Sequence, residues 1–374
     1  MTSRVAALLG LLLAAFLVGC APSSEDDAVH VAYLDGTVDA VMERYVDRVL
    51  AHAEENNAAL VVFEVDTPGG TLDAMRDIAG RIQGAEVPVA AWVGPAGAQA
   101  ASAGTFIVMS AHVAAMAPST SIGAASPVSG TGEDLPDTLG RKATEDTVAF
   151  ARGVAETHDR NADWAEGAVR EAISASPSAA VALNVVDLVA SSRQGLLEEI
   201  EGREVTLEGG NVATLASLTE KPVVETPMNA YERVLKVIAD PVVVSLLLLV
   251  GLVGIAAEFF SPGLVLPGTA GVIAITLAFL GAGTLLPAQA ALVLLAIAVA
   301  LFVLEAVAPT GIAGAVGGAA LLLALGIWAG QASTEVSPGR ALVATLVILL
   351  VAIGGVVLFL RTFLERGDAR DHAM

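Results

Sequence analysis

Between residues 241 and 360 the chain carries only four ionisable side chains, Glu258, Glu305, Glu335 and Arg340. No other feature restricts the fold so severely. A stretch this long with so few water-seeking groups must be buried in protein or in lipid. In lipid, only helices and closed barrels satisfy the backbone. Apolar runs lie near 241–257, 264–286, 288–304, 311–329 and 341–360, and most approach the roughly 17 to 25 residues that a helix needs to cross a bilayer. The reading is an all-α transmembrane domain over 241–360 with four to five spans. Five would carry the short polar tail, 361–374, with Arg361, Arg366 and Arg370, to the cytoplasmic side, where basic residues concentrate. Four spans plus a re-entrant segment would leave that tail outside; five is favoured. Glu258 and Glu305 each precede a proline by four residues, Pro262 and Pro309, at the end of an apolar run. This faint repeat fits either glutamates at the headgroups or broken helices whose backbone is covered by protein.

The rest of the chain is a different material. Residues 21–240 hold 34 acidic and 14 basic side chains, a net charge of −20. Such a balance excludes a nucleic-acid-binding surface as the domain's main business. Cys20 is the one cysteine in the chain, so no intrachain disulfide can form. It closes a charged-then-apolar-then-small stretch, residues 1–20, that reads as a secretory signal. Leu17-Val18-Gly19-Cys20 resembles a bacterial lipobox, which makes Cys20 a candidate lipidation site; an uncleaved N-terminal anchor is the alternative. Either arrangement puts residues 21–240 on the extracytoplasmic side, with 21–29 as a polar tether.

From His30 onward, short Val-rich runs alternate with amphipathic stretches. Residues 30–34, 60–65 and 87–93 read as strands, and 112–117 and 122–125 as shorter ones. Ala40, Val41, Tyr45, Val49 and Leu50 fall at helical spacing, as do Leu72, Met75, Ile78 and Ile82. Further helices are predicted over 141–156 and 163–173, with loop-like sequence at 127–140. Alternation of this kind predicts an α/β domain with a largely parallel sheet, assigned to residues 30–222. Residues 223–240 read as an interfacial helix and linker, with Met228, Tyr231, Val234, Leu235 and Ile238 on one side.

Two motifs could carry chemistry. Asp66-Thr67-Pro68-Gly69-Gly70 follows a predicted strand and precedes a predicted helix. Adjacent glycines there permit unusual dihedrals and expose N–H groups to negative charge, as an oxyanion hole requires. Gly94 to Thr105 surrounds a single serine, Ser102, with tiny residues at a predicted helix start, where the Ala103 N–H would face a developing oxyanion. Each motif alone is equally compatible with a tight turn or a small-residue helix packed on a sheet. A nucleophilic serine needs a base. None of His30, His52, His112, His158 and His372 lies in a setting that obviously presents imidazole to Ser102. Lys142, the only lysine before residue 221, follows the loop and opens a helix; a buried lysine can act as base, though a solvated lysine is the commoner case.

Taken together, Asp-Thr-Pro-Gly-Gly at 66–70, Ala-Ala-Ser-Ala-Gly-Thr at 100–105 and Ser-Ile-Gly-Ala-Ala-Ser-Pro at 121–127 resemble the NfeD family of membrane-bound serine proteases. These belong to the ClpP class and are related to signal peptide peptidase A. Asp240-Pro241, Glu258, Ser261-Pro262-Gly263 and Leu266-Pro267-Gly268 agree with that family's membrane segments. The resemblance implies a ClpP/crotonase-like α/β fold and a catalytic dyad of Ser102 and Lys142. It also implies an oxyanion hole at Gly70 and Ala103, with Gly69 beside them. It further implies cleavage of hydrophobic segments of membrane-associated proteins and a stomatin-like (slipin) substrate or partner. Self-association into a dimer or larger homo-oligomer is expected by analogy. A non-proteolytic scaffold for a stomatin-like protein is the alternative function. No metal-ligand cluster or nucleotide fingerprint is apparent in the sequence, so no cofactor is expected.

Overall fold

The computed structural model of the chain describes residues 26–128, 137–260, 266–283, 287–307 and 312–332. Cys20, most of the 127–140 loop and the apolar run at 341–360 lie outside these residues. Two compact units divide the chain between Pro227 and Met228.

The first unit is built on a six-stranded sheet. Its strands are β1 (Val29–Asp35), β2 (Leu60–Asp66), β3 (Val89–Val93), β5 (Val113–Met116), β8 (Leu188–Val189) and β11 (Val223–Glu225), in the order β11-β1-β2-β3-β5-β8. Every neighbouring pair is parallel. Strands covered on both faces must be apolar on both, and β3 is buried along its whole length. That is why these runs read as continuous Val-rich segments rather than as alternating ones. A second, three-stranded sheet contains β4 (Gln99–Ala101), β6 (Ser121–Gly123) and β7 (Ser174–Ala175) in the order β4-β6-β7. β9 (Glu204–Thr206) and β10 (Val212–Thr214) form an antiparallel pair.

Helix α1 (Ala40–Glu55) starts where the Asp39 carboxylate accepts the Val41 and Met42 N–H groups, both at 2.9 Å, a cap worth roughly 1 kcal/mol. Its buried face runs Val41, Met42, Tyr45, Val46, Val49, Leu50 and Ala53, the period expected of an amphipathic helix. Helix α2 (Leu72–Gln83) is capped by Thr71, and α3 (Ala103–Ser110) is buried throughout. Helices α4 (Asp137–Thr157), α5 (Ala162–Arg170), α6 (Pro177–Ala182) and α7 (Arg193–Glu199) complete the unit.

One boundary differs from the sequence expectation. Residues 223–225 form a strand of the large sheet and not the start of an interfacial helix. Its Glu225 accepts a hydrogen bond from the Tyr33 hydroxyl of β1 at 3.0 Å, and the Tyr45 hydroxyl donates to the Thr226 carbonyl at 2.6 Å. The first domain therefore extends through this strand. A three-residue strand carries too short a pattern to reveal itself.

The second unit opens with α8 (Ala230–Ala239), whose Asn229 and Glu232 form a reciprocal capping box. Four apolar helices follow: α9 (Pro241–Phe260), α10 (Leu266–Gly281), α11 (Pro287–Val307) and α12 (Ile312–Ala332). Among the described residues two helices are long and apolar enough to cross a membrane, Pro241–Phe260 and Pro287–Ala306, and the other two have shorter apolar lengths. α9 packs on α10 and α11 on α12. In the first pair the backbones approach at Gly251, Gly254 and Gly271: a Cβ on Gly271 would lie 2.7 Å from the Gly251 carbonyl oxygen. Small residues of this kind let helices meet closely where lipid supplies no hydrophobic drive. Glu305 is buried and accepts the Gly314 N–H at 3.1 Å, so the carboxylate ending α11 caps the start of α12.

Candidate active site

The end of β2 and the short strand β4 are stapled together. The Thr67 N–H donates to the Gln99 carbonyl at 2.7 Å, and the Ala101 N–H to the Thr67 carbonyl at 3.0 Å. The Asp66 carboxylate accepts the Gln99 N–H at 3.0 Å. The Gly-Gly loop after β2 and the serine turn after β4 thus come from one rigid joint, although they are separated by thirty residues of sequence.

Ser102 sits between β4 and α3 with φ 50° and ψ −116°. A non-glycine residue in this region is strained by roughly 1–3 kcal/mol and persists only when its surroundings over-determine it. Here they do. The Ser102 N–H donates to the Gly123 carbonyl of β6 at 2.9 Å, and its carbonyl accepts the Thr105 N–H at 3.0 Å. A sharp strand-to-helix turn of this kind projects a serine hydroxyl away from its backbone. The Ala103 N–H opens α3 as one of the donors that a helix leaves unpaired.

The glycine pair divides its work. Gly69 has φ +110°, and a Cβ there would lie 2.5 Å from the Ser102 Cβ. Its N–H is already committed to the Thr67 hydroxyl at 3.0 Å. Gly69 therefore provides clearance beside Ser102 and is not a free oxyanion donor. A Cβ on Gly70 would overlap the Val38 carbonyl, because the Gly69 carbonyl accepts the Val38 N–H at 2.9 Å and the Val38 carbonyl accepts the Thr71 N–H at 2.9 Å. Among the described residues neither the Gly70 nor the Ala103 N–H has an acceptor.

Lys142 lies near the start of α4 and is exposed. No hydrogen bond joins it to Ser102. Residues four apart share a helix face, and Lys142 shares its face with Asp146 and Phe150. Asp146 pairs with Arg76 of α2 at 2.5 Å, and the Phe150 ring lies 5.9 Å from that of Phe106 on α3. The face carrying Lys142 is thus the one attached to the two helices that the Gly-Gly loop and the serine turn begin.

Among the described residues, His112 and His158 are engaged away from Ser102. His112 gives its Nδ1 to the Val89 N–H at 3.1 Å, and His158 Nε2 contacts the Ser110 carbonyl at 2.9 Å. His112 opens β5 and Val89 opens β3, whereas Ser102 follows the C-terminal end of β3, at the opposite edge of the sheet. Burial, then the neighbouring His158 and Arg160, push His112 down to about 4. Among the described residues no group of three or more His, Cys, Asp or Glu is arranged to hold a metal. Thr67 and Thr105, whose hydroxyls organise both turns, lie inside the motifs at 66–70 and 100–105 but were given no role of their own in the sequence. Their partners are mostly main-chain groups, which a motif does not reveal.

A strained serine beside uncommitted backbone donors thus sits on a parallel α/β domain, and apolar helical pairs follow that domain in the chain. Residues 28–197 match the model of the NfeD1b N-terminal domain, and residues 242–361 that of the NfeD integral membrane domain. The chain is 32% identical over 356 residues to the membrane-bound protease PH1510 of Pyrococcus horikoshii, covering 94% of this chain and 79% of that protein. It is 30% identical over 334 residues to membrane protein NfeD1b of Bacillus subtilis, covering 87% and 73% respectively. Among solved structures it is similar to the 1510-N membrane-bound stomatin-specific protease. A lysine-to-alanine mutant in complex with a substrate peptide gives a TM-score of 0.52 at 33% identity, covering 56% of this chain and 96% of that one. A serine-to-alanine mutant gives 0.50 at 34%, covering 55% and 99%. The chain belongs to the NfeD family of membrane-bound proteases.

Proposed function

We propose that the chain is a multi-pass, membrane-bound serine endopeptidase that cleaves hydrophobic segments of a stomatin-like protein through a Ser102–Lys142 dyad. The observation that carries this reading is the strained Ser102 turn set against the unpaired Gly70 and Ala103 N–H groups. In the reaction the Lys142 amine takes the Ser102 hydroxyl proton as Oγ attacks the scissile carbonyl carbon. The carbonyl oxygen becomes the oxyanion and accepts hydrogen bonds from Gly70 and Ala103. The lysine returns the proton to the leaving amine, and water then hydrolyses the acyl-enzyme by the same route. The partner class comes from the stomatin-specific relative. The protease domain faces the extracytoplasmic side, with Cys20 as its lipidation site.

Full-length protein in detergent, incubated with apolar peptides and a serine-directed fluorophosphonate, tests the reading. Wild type should cleave and label at Ser102, while Ser102→Ala and Lys142→Ala should not cleave. Cleavage retained in either variant sinks the dyad. The exposure of Lys142 favours one second reading, a scaffold that organises a stomatin-like protein without cutting it. That reading requires folded wild type to remain unlabelled.

A further inference from the structure

Thr105 is buried, 1% exposed, and its hydroxyl stands at the centre of the serine turn. The oxygen lies 3.0 Å from the Ala100 carbonyl and 3.1 Å from the Gly123 carbonyl, and accepts the Gly123 N–H at 3.0 Å. A hydroxyl has one hydrogen and two lone pairs. The hydrogen is therefore shared between two carbonyls while a lone pair takes the N–H. The Gly123 carbonyl is also the acceptor of the Ser102 N–H, at 2.9 Å. One side chain thus ties together the strand entering the turn, the helix leaving it and the strand that holds the serine backbone. Gly123 cannot drift away from this joint. It has φ +129°, the Ala124 N–H donates to the Ile173 carbonyl at 2.9 Å, and a Cβ on Gly123 would overlap that same carbonyl.

We propose that Thr105 is a positioning residue for the reaction: its hydroxyl holds Ser102 in the strained conformation that aims both Oγ and the Ala103 N–H at the substrate carbonyl. This rests on Ser102 being the nucleophile. Thr105 touches no reacting atom. A strained residue relaxes unless its neighbours over-determine it, and the hydroxyl is the neighbour that reaches Ala100 and Gly123 together. Loss of the hydroxyl removes one partner of the buried Gly123 N–H and the tie between the Ala100 and Gly123 carbonyls, so the turn relaxes toward ordinary dihedrals and the oxyanion donor moves off its mark. The consequence falls on the transition state rather than on substrate binding, because the oxyanion exists only there.

Three variants of the full-length protein in detergent test this: Thr105→Val, which keeps the shape without the hydroxyl, Thr105→Ser, which keeps the hydroxyl, and Thr105→Cys, whose thiol donates weakly. Peptide cleavage gives kcat and KM, and fluorophosphonate titration gives the fraction of competent sites. Thr105→Val should lower kcat per competent site about 10- to 100-fold with KM within about 2-fold, and Thr105→Ser should restore most of it. Should Thr105→Val not fold, Thr105→Cys takes its place, and a kcat well below that of Thr105→Ser supports the role. The proposal is overturned if Val, or Cys in its place, matches wild type, if its loss follows only the fraction of competent sites, or if Ser is as slow as Val. A wild type that neither cleaves nor labels overturns the protease reading itself, and this role with it.

Discussion

Gly69 and Ser102 meet so closely that a methyl group on the glycine would stand 2.5 Å from the serine Cβ and 3.1 Å from its Oγ. The obstacle is the serine itself, so nothing can give way without moving Ser102. Gly69→Ala should therefore lower the rate of Ser102 labelling by about 100-fold or more, a transition-state cost of roughly 3 kcal/mol. Gly70→Ala is expected to act differently. Its Cβ would run into the Val38 backbone, so the loss appears first in folding. Melting curves set beside labelling rates distinguish the two, and equal behaviour of the two variants would contradict the division of labour between them.

Lys142 offers the opposite case, an exposed side chain proposed to act only in chemistry. Exposed substitutions away from special features change stability by about 0.5 kcal/mol or less. Lys142→Ala should melt within about 1 °C of wild type while cleavage is lost. A large fall in melting temperature would mean that the lysine supports α4 rather than catalysis.

How much of this could be read beforehand depends on where each contact lies along the chain. The strands at 29–35, 60–66 and 89–93 announced themselves because both faces are buried, which makes them continuous apolar runs. β4 and β11 have three residues each and leave no periodic signal. Ser102 was marked by its tiny neighbours, the visible consequence of a turn where backbones approach. Gly69 and Gly70 could not be told apart, since what distinguishes them is the Thr67 hydroxyl on one side and Val38 on the other. Thr105 was invisible for a similar reason: its second carbonyl lies 18 residues away. Lys142 stood out by being solitary, but nothing in the sequence places its amine relative to Ser102.

The pair His112 and His158 predicts a pH dependence. Burial, ahead of the charges of His158 and Arg160, holds His112 at about 4, below its ordinary value of 6.5; burial followed by Arg160 also lowers His158. A histidine depressed in the folded state binds its proton more readily when unfolded. Stability is therefore fully present above about pH 6.5 and is lost as pH falls toward 4. The geometry agrees, because His112 Nδ1 accepts the Val89 N–H and a proton there would set two hydrogens face to face. The loss for His112 is up to about 3 kcal/mol. Melting of the full-length protein in detergent should fall between pH 7 and pH 4.5, and His112→Asn, which keeps an acceptor but does not titrate, should flatten the slope.

Arg160 is buried and pairs with Asp187 at 2.9 Å, its side chain 2% exposed. It also donates to the Met109 and Ala111 carbonyls at 2.7 and 2.8 Å, tying the end of α3 to the strand beside it. Removing one partner of a buried pair strands the other charge, at a cost of about 3–5 kcal/mol. Asp187→Ala should therefore melt far below wild type, whereas Arg203→Ala, which removes the more exposed second partner of Asp187, should cost about 1 kcal/mol or less. Equal effects of the two, read by thermal melting, would show that the burial of Arg160 does not govern the cost.

Glu305 makes a parallel case in the membrane unit. A carboxylate among apolar helices is costly and needs a reason to be there. The Gly314 N–H supplies one, because the first N–H groups of α12 have no acceptor within their own helix and Glu305 provides one from the end of α11. The contact joins the end of α11 to the start of α12. Glu305→Gln keeps a carbonyl oxygen for that bond and should leave the pair largely intact. Glu305→Ala leaves a buried N–H unpaired, a loss of about 1–3 kcal/mol. Because the bond lies within the second unit, cleavage of soluble peptides should stay near wild type while resistance to thermal aggregation in detergent falls for Ala and not for Gln. If Gln proves as damaging as Ala, the negative charge rather than the hydrogen bond holds the two helices together, and Glu305 then acts on the dipole of α12.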